Sequence, residues 1–100
     1  MAYRTTNTIT QTDTAKTPTS SVSVGTGSTQ VAAANGARVE LFLCNDHATQ
    51  TVYLALGAAA VANQGIRLNA GGGSIVLSSF TGVVNAIATG ASTPVTVCEV

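Results

Sequence analysis

A chain of 100 residues and 9.9 kDa fits one domain, and a folded chain of that size buries roughly 60 to 70% of the surface its unfolded form exposes. Hydrophobic residues make up 45%, mean hydropathy is +0.35, only 8% are charged, and four basic residues balance four acidic ones. Arg4, Lys16, Arg38 and Arg67 are scattered along the chain, which excludes the clustered cations that bind nucleic acid. So little charge also gives little colloidal repulsion and points to assembly.

Residues 1–20 are rich in Thr, and Pro18 closes them off. With few apolar side chains they do not fold alone, yet Thr favours extended backbone when a partner is present. They read as an extended N-terminal arm, with a loose tail as the plainer alternative. Nothing here has the apolar core of a secretory signal. The longest apolar stretch, TVYLALGAAAVA, is broken at Gly57 and falls short of the about 20 residues that span a bilayer. The expectation is a soluble protein made in the cytoplasm, with no membrane partner.

From Ser21 onward, short β-prone runs alternate with turn signals, the pattern of an all-β sandwich or barrel. SVSV at 21–24 is broken by GTGS, and TQVAAA at 29–34 runs into Asn35-Gly36, a strong short hairpin signal. In ARVELFLC at 37–44, Val39, Leu41 and Leu43 share one face, while Arg38, Glu40, Phe42 and Cys44 share the other. After the polar turn NDHATQ, TVYLAL at 51–56 places Val52, Leu54 and Leu56 inward and Tyr53 outward, completing an expected hairpin. Residues 57–65, Ala-rich between Gly57 and Gly65, read as a loop with room for a short helical turn. IRL, SIVLSS, GVVNAIAT and PVTVCEV supply the remaining strands, divided by NAGGG, FTG and GAST. The fold class is thus all-β, a single small antiparallel β-sandwich or barrel of about seven to eight strands over residues 21–100, with residues 1–20 as its arm.

The chemical motifs are sparse. A phosphate-cradling glycine loop needs a helix behind it, whereas Gly71-Gly72-Gly73 precede the strand-forming Ser74, Ile75, Val76 and Leu77, at spacings that match no nucleotide-binding fingerprint. They read as a flexible turn between strands. His47 is the single histidine, in a turn beside Asn45 and Asp46, and reads as a solvent-exposed turn residue with no nucleophile and orienting group around it. Cys44 and Cys98 lie in apolar strand-like runs and read as buried thiols packed as small hydrophobes, with a disulfide between them as the alternative. Only His47 could join them on zinc, and a structural site wants four ligands. Asp13, Glu40, Asp46 and Glu99 form no dyad in sequence. The expectation is therefore no enzyme, no catalytic residue, no metal and no cofactor.

NGARVELFLCNDHATQTVYLALG, then GIRLNAGGGSIVL, then FTGVVNAIATGASTPVTVCEV, resembles in its order of parts a pattern of small tailed-bacteriophage virion proteins, the capsid decoration (cement) proteins and head-fibre bases. The matching positions are Arg38, Asn45, Tyr53, Leu54, Gly57, Gly65, Ile66, Leu68, Gly71 to Gly73, Phe80 to Gly82, Ile87 and Glu99, spanning residues 35–100. Asn69-Ala70 depart from it where a Pro is expected, and the arm lies outside it. The resemblance implies a virion structural protein on the outer surface of a phage head, made in the host cytoplasm. Its partner would be the major capsid protein, whose subunits it bridges as a homo-oligomer, with a trimer favoured. A tail, baseplate or head-fibre part is the nearest rival. A carbohydrate-binding module is a further one, short of aromatics and with Tyr53 as its one exposed candidate.

Overall fold

The computed structural model describes residues 19–100; the predicted arm, apart from its last two residues, lies outside the described residues. The chain forms β1(Ser20–Val24), β2(Thr29–Ala32), β3(Glu40–Asn45), β4(Val52–Leu56), β5(Ile66–Leu68), β6(Ser74–Ser78), β7(Val84–Ala88) and β8(Thr93–Glu99). They build two antiparallel four-stranded sheets, the first in the order β1-β8-β3-β6 and the second in the order β2-β7-β4-β5. Strand number and fold class agree with the sequence reading.

The alternation that makes these segments strands also builds the core. β8 buries Thr93, Val95, Val97 and Glu99 and turns Pro94, Thr96 and Cys98 the other way. In register with it, β3 buries Leu41, Leu43 and Asn45. The second sheet answers with Val52, Leu54, Leu68, Val84, Ala86 and Ala88, and the two inner faces close into one continuous apolar core. Burying a Leu or Val of this kind stabilises by about 1.5–3 kcal/mol.

Strand pairing departs from the sequence reading. Successive strands mostly switch sheets; neither expected hairpin, at Asn35-Gly36 or across NDHATQ, forms, and β4–β5 is a hairpin instead. Asn35-Gly36 carries the chain from β2 in the second sheet to β3 in the first. Asn35 makes this crossing a turn of its own: its Oδ1 accepts from Ala37 N at 3.0 Å and its carbonyl accepts from Arg38 N at 3.1 Å. Likewise β3 and β4 lie in different sheets, joined across the end of the sandwich by the 46–51 loop. Val39, expected inside, is 62% exposed because the strand begins one residue later, and Leu56, the last residue of β4, is 40% exposed.

Tyr53 is a second correction. It points away from the main core as expected but is only 8% exposed, because residues 57–65 fold back over the outer face of the second sheet. There Tyr53, Ile87 and Ala60 form a satellite cluster with Ala55 against it. The Tyr53 hydroxyl meets Asn63 Oδ1 at 3.1 Å, Asn85 Nδ2 donates to the Ala58 carbonyl at 2.7 Å, and Ala60 N donates to Ser28 Oγ at 2.8 Å. No helical turn forms in this loop. Gly65 is required where it returns to β5: its φ is +93°, and a Cβ there would overlap the Leu54 carbonyl.

Candidate functional site

At one end of the sandwich, Arg38 is buried rather than solvated. Its Nη1 donates to Glu99 Oε2 at 2.8 Å and to the Ala33 carbonyl at 3.0 Å. Its Nη2 donates to the carbonyls of Phe80 and Gly82 at 2.9 and 2.7 Å, and Nε donates again to Phe80 at 3.1 Å. The side chains of Arg38 and Glu99 are 0% and 8% exposed. Every donor direction of the guanidinium is used, so this ion pair fastens the loops after β2 and β6 to the last residue of β8. Sequence reasoning placed Arg38 on a strand face, and nothing local announces a partner 61 residues onward.

At the opposite end the glycine loop is a fastener too. Gly71 N donates to the His47 carbonyl at 2.8 Å, Gly72 N to the Asn45 carbonyl at 2.9 Å and Gly73 N to the Asn69 carbonyl at 3.0 Å. The amides that a phosphate would need are therefore already committed to protein carbonyls. Gly71 and Gly72 take φ of +79° and +105°, and a Cβ at Gly73 would overlap Asn69 backbone. Asn45, fully buried, completes the junction: Nδ2 donates to the carbonyls of Gln50 and Leu68 at 2.7 and 3.1 Å, and Oδ1 accepts from His47 N at 3.0 Å. His47 Nδ1 accepts from the amides of Thr49 and Gln50 at 3.0 and 3.1 Å, so its ring shapes the turn. It is partly rather than fully exposed.

The cysteines differ from expectation in their surroundings. Both are free and partly exposed on the outer face of the first sheet, not in the core. Cys44 lies opposite Thr96, and Cys98 opposite Phe42. This makes the two thiols diagonal neighbours, typically about 7–8 Å apart between Cα atoms, beyond the usual reach of a disulfide. Burial first, and then the hydrogen bond and charge of Asp46, hold the Cys44 thiol above its ordinary value. Its Sγ lies 3.5 Å from Asp46 Oδ1 and 3.6 Å from the Gly72 carbonyl. Among the described residues, no group of three or more His, Cys, Asp and Glu side chains is placed to hold a metal ion.

What remains open is the first sheet itself. Its outer face carries Phe42, Val76, Cys44 and Cys98 among Ser21, Ser23, Ser74, Ser78 and Thr96, with Val76 52% exposed, and two carboxylates: Glu40, which accepts from Ser78 Oγ at 3.3 Å, and Asp46, which accepts from Thr96 Oγ1. No loop comparable to 57–65 lies over it among the described residues. The edges of the two sheets also differ. In the second sheet, β2 carries a register shift between Gln30 and Ala32, and β5 has three residues with Arg67 in the middle, its guanidinium 5.9 Å from the Tyr53 ring centre. Bulges, shortness and charge all discourage further pairing. In the first sheet, β1 and β6 each have five residues, no shift in register and no charge. A groove of about 360 Å³ runs between β1 and β2, lined by Ser20, Val31, Ala33, Asn35, Val97 and Glu99. Its one carboxylate is the one Arg38 holds.

Compared with protein-family models, curated proteins and solved structures, the chain matches none.

Proposed function

We propose that this chain is a structural protein of a tailed-phage virion, a decoration (cement) protein that binds the outer surface of the head and bridges major capsid subunits. The observation that carries the reading is the first sheet, which among the described residues has two uncharged, unbulged edges and no loop over Phe42, Val76 and the two thiols on its outer face. A protein with that surface and formal net charge +0 is suited to being covered. Permanent interfaces are more apolar than ordinary surface. The order of parts resembling decoration proteins supplies the identity of the covering partner.

The groups that would carry chemistry point the same way. The glycine amides, the His47 ring nitrogen, the Asn45 amide and the Arg38 guanidinium are engaged in holding loops together. The role is clamping: contacts that exist only on the assembled shell shift the equilibrium towards it, and several modest contacts reinforce one another through effective concentration. The carbohydrate-binding alternative loses the aromatic it was expected to expose, since Tyr53 lies under residues 57–65, and keeps the partly exposed Phe42 on the outer face of the first sheet.

The test is co-sedimentation of the purified chain with phage heads that lack their decoration protein, followed by thermal release of the packaged DNA. Binding that raises the release temperature supports the reading. A chain that stays in the supernatant overturns it. Deleting residues 1–20 tests the arm as a strand donor: weaker attachment is expected, and unchanged attachment removes the arm from the mechanism.

A further inference from the structure

Among the described residues β6 is the outermost strand of the first sheet, bonded to β3 on one side only. Its neighbours fix which of its backbone groups are used. Asn45 N donates to the Gly73 carbonyl, Ser79 N donates to the Val39 carbonyl, and the register between them is unbroken. In an antiparallel ladder the bonding direction alternates residue by residue, so Ile75 and Leu77 bond inward to β3. The amides and carbonyls of Ser74, Val76 and Ser78 then point out of the open edge. The side chains of those same three residues are exposed, whereas Leu77 is buried and Ile75 partly buried.

The sequence of this edge is close to a palindrome: Ser74-Ile75-Val76-Leu77-Ser78, serine, aliphatic, valine, aliphatic, serine. Turned about a two-fold axis through Val76, the strand meets itself with matching chemistry at every position. Val76 faces the partner's Val76, and Ser74 faces Ser78, each pair exchanging both backbone bonds. Ile75 faces Leu77 on the core side. Such an isologous contact is closed, because the same patch serves both copies.

We propose that β6 is a self-recognition edge at which two copies of this chain pair antiparallel about Val76. The two first sheets then run on as one continuous sheet, with Phe42 and Val76 of both copies on one outer face among serines and Glu40. The absence of charge, proline and bulge from β6 is what such pairing requires, and the guarded edges β2 and β5 are where it would be harmful. The inference stands on strand geometry and does not depend on the chain being a virion protein.

Sedimentation velocity on the full chain tests it, with a concentration-dependent dimer as the expected result. Val76→Lys places two like charges opposite each other across the axis and should weaken the dimer by about tenfold or more, since one repelling pair at the axis costs on the scale of one decade in affinity. At a concentration where both chains are monomeric, the urea midpoint should stay near wild type, because Val76 is outside the core. Ser23→Lys, on the other open edge, should leave the dimer intact. With Cys44→Ser and Cys98→Ser in place, Val76→Cys should give a disulfide-linked dimer under oxidation, since directly opposed bonded residues sit about 5.5 Å apart. A wild-type monomer at all concentrations overturns the proposal. So does a trimer or chain-like series abolished by Ser23→Lys, which would mean head-to-tail pairing of β1 with β6, and so does a dimer indifferent to Val76→Lys.

Discussion

Removing one partner of the Arg38–Glu99 pair should be among the most damaging single changes available. Glu99→Gln keeps the shape of the side chain and an acceptor oxygen but removes the countercharge, leaving a guanidinium with 0% exposure among neutral acceptors, the amide oxygen and the carbonyls of Ala33, Phe80 and Gly82. Breaking a buried pair from one side costs about 3–5 kcal/mol, against a total stability of about 5–15 kcal/mol. For a domain of this size that is a fall in Tm of roughly 12–40 °C, at about 4–8 °C per kcal/mol. Urea denaturation followed by far-ultraviolet circular dichroism measures it. Replacing both partners, Arg38→Met with Glu99→Leu, should not restore stability as it does for an isolated buried pair, because the three carbonyls lose their donors as well. If Glu99→Gln costs less than about 1 kcal/mol, the value of a surface pair, or if the apolar double variant matches wild type, the account of this end of the sandwich is wrong.

Asn45→Asp should lower the urea midpoint by the equivalent of about 1–3 kcal/mol, because a carboxylate cannot donate to the Gln50 and Leu68 carbonyls. Gly73→Ala should cost more than Gly71→Ala: the first forces a Cβ into Asn69 backbone, whereas the second meets only the strain of a positive φ, about 1–3 kcal/mol. Thermal melts of the two variants order them, and the reverse order would refute the packing of this loop. The Cys44 thiol, raised by burial and Asp46 above its ordinary value of 9.0, favours the protonated form in the folded chain. Its contribution to stability is therefore complete below that value and is lost as pH rises through the higher folded value. Alkylation of Cys44, followed by peptide mass spectrometry at mildly alkaline pH, should be slower folded than unfolded, and Asp46→Asn should speed it.

Strands were legible in this sequence because alternation is a local property. The period of two in Thr93-Pro94-Val95-Thr96-Val97-Cys98-Glu99 appears directly in which side chains are buried. Partners were not legible, since pairing depends on which sheet a strand joins. Asn35-Gly36 has the residues of a hairpin turn and serves a crossing between sheets, because β3 finds β6 and β8 instead of β2. The ion pair was hidden for a related reason: Arg38, just before β3, and Glu99, at the end of β8, are 61 residues apart until the fold brings them to 2.8 Å. Tyr53 was placed on the correct face, but no period predicts that an Ala-rich loop will return to cover it. The glycines at 71–73 were legible as a turn. The partners of the Gly71 and Gly72 amides were not, because those lie on the 45–47 segment of the other crossing.

The position of β8 also dictates a timetable. Among the described residues β1 is bonded to β8 alone, and β3 has β8 on one side, yet β8 is the last of the eight strands to be synthesised. During translation the first strand therefore waits for a partner that emerges more than seventy residues later, as in the pairing of Ser20 with Val97. Long-range pairing of this kind places folding in the millisecond-to-second range. Through that interval β1 lacks its partner strand and β3 has β6 on one side only, so a nascent chain that stalls before β8 exposes unpaired strand edges that invite aggregation. The closing of Glu99 on Arg38 would then mark the moment at which the first sheet is complete.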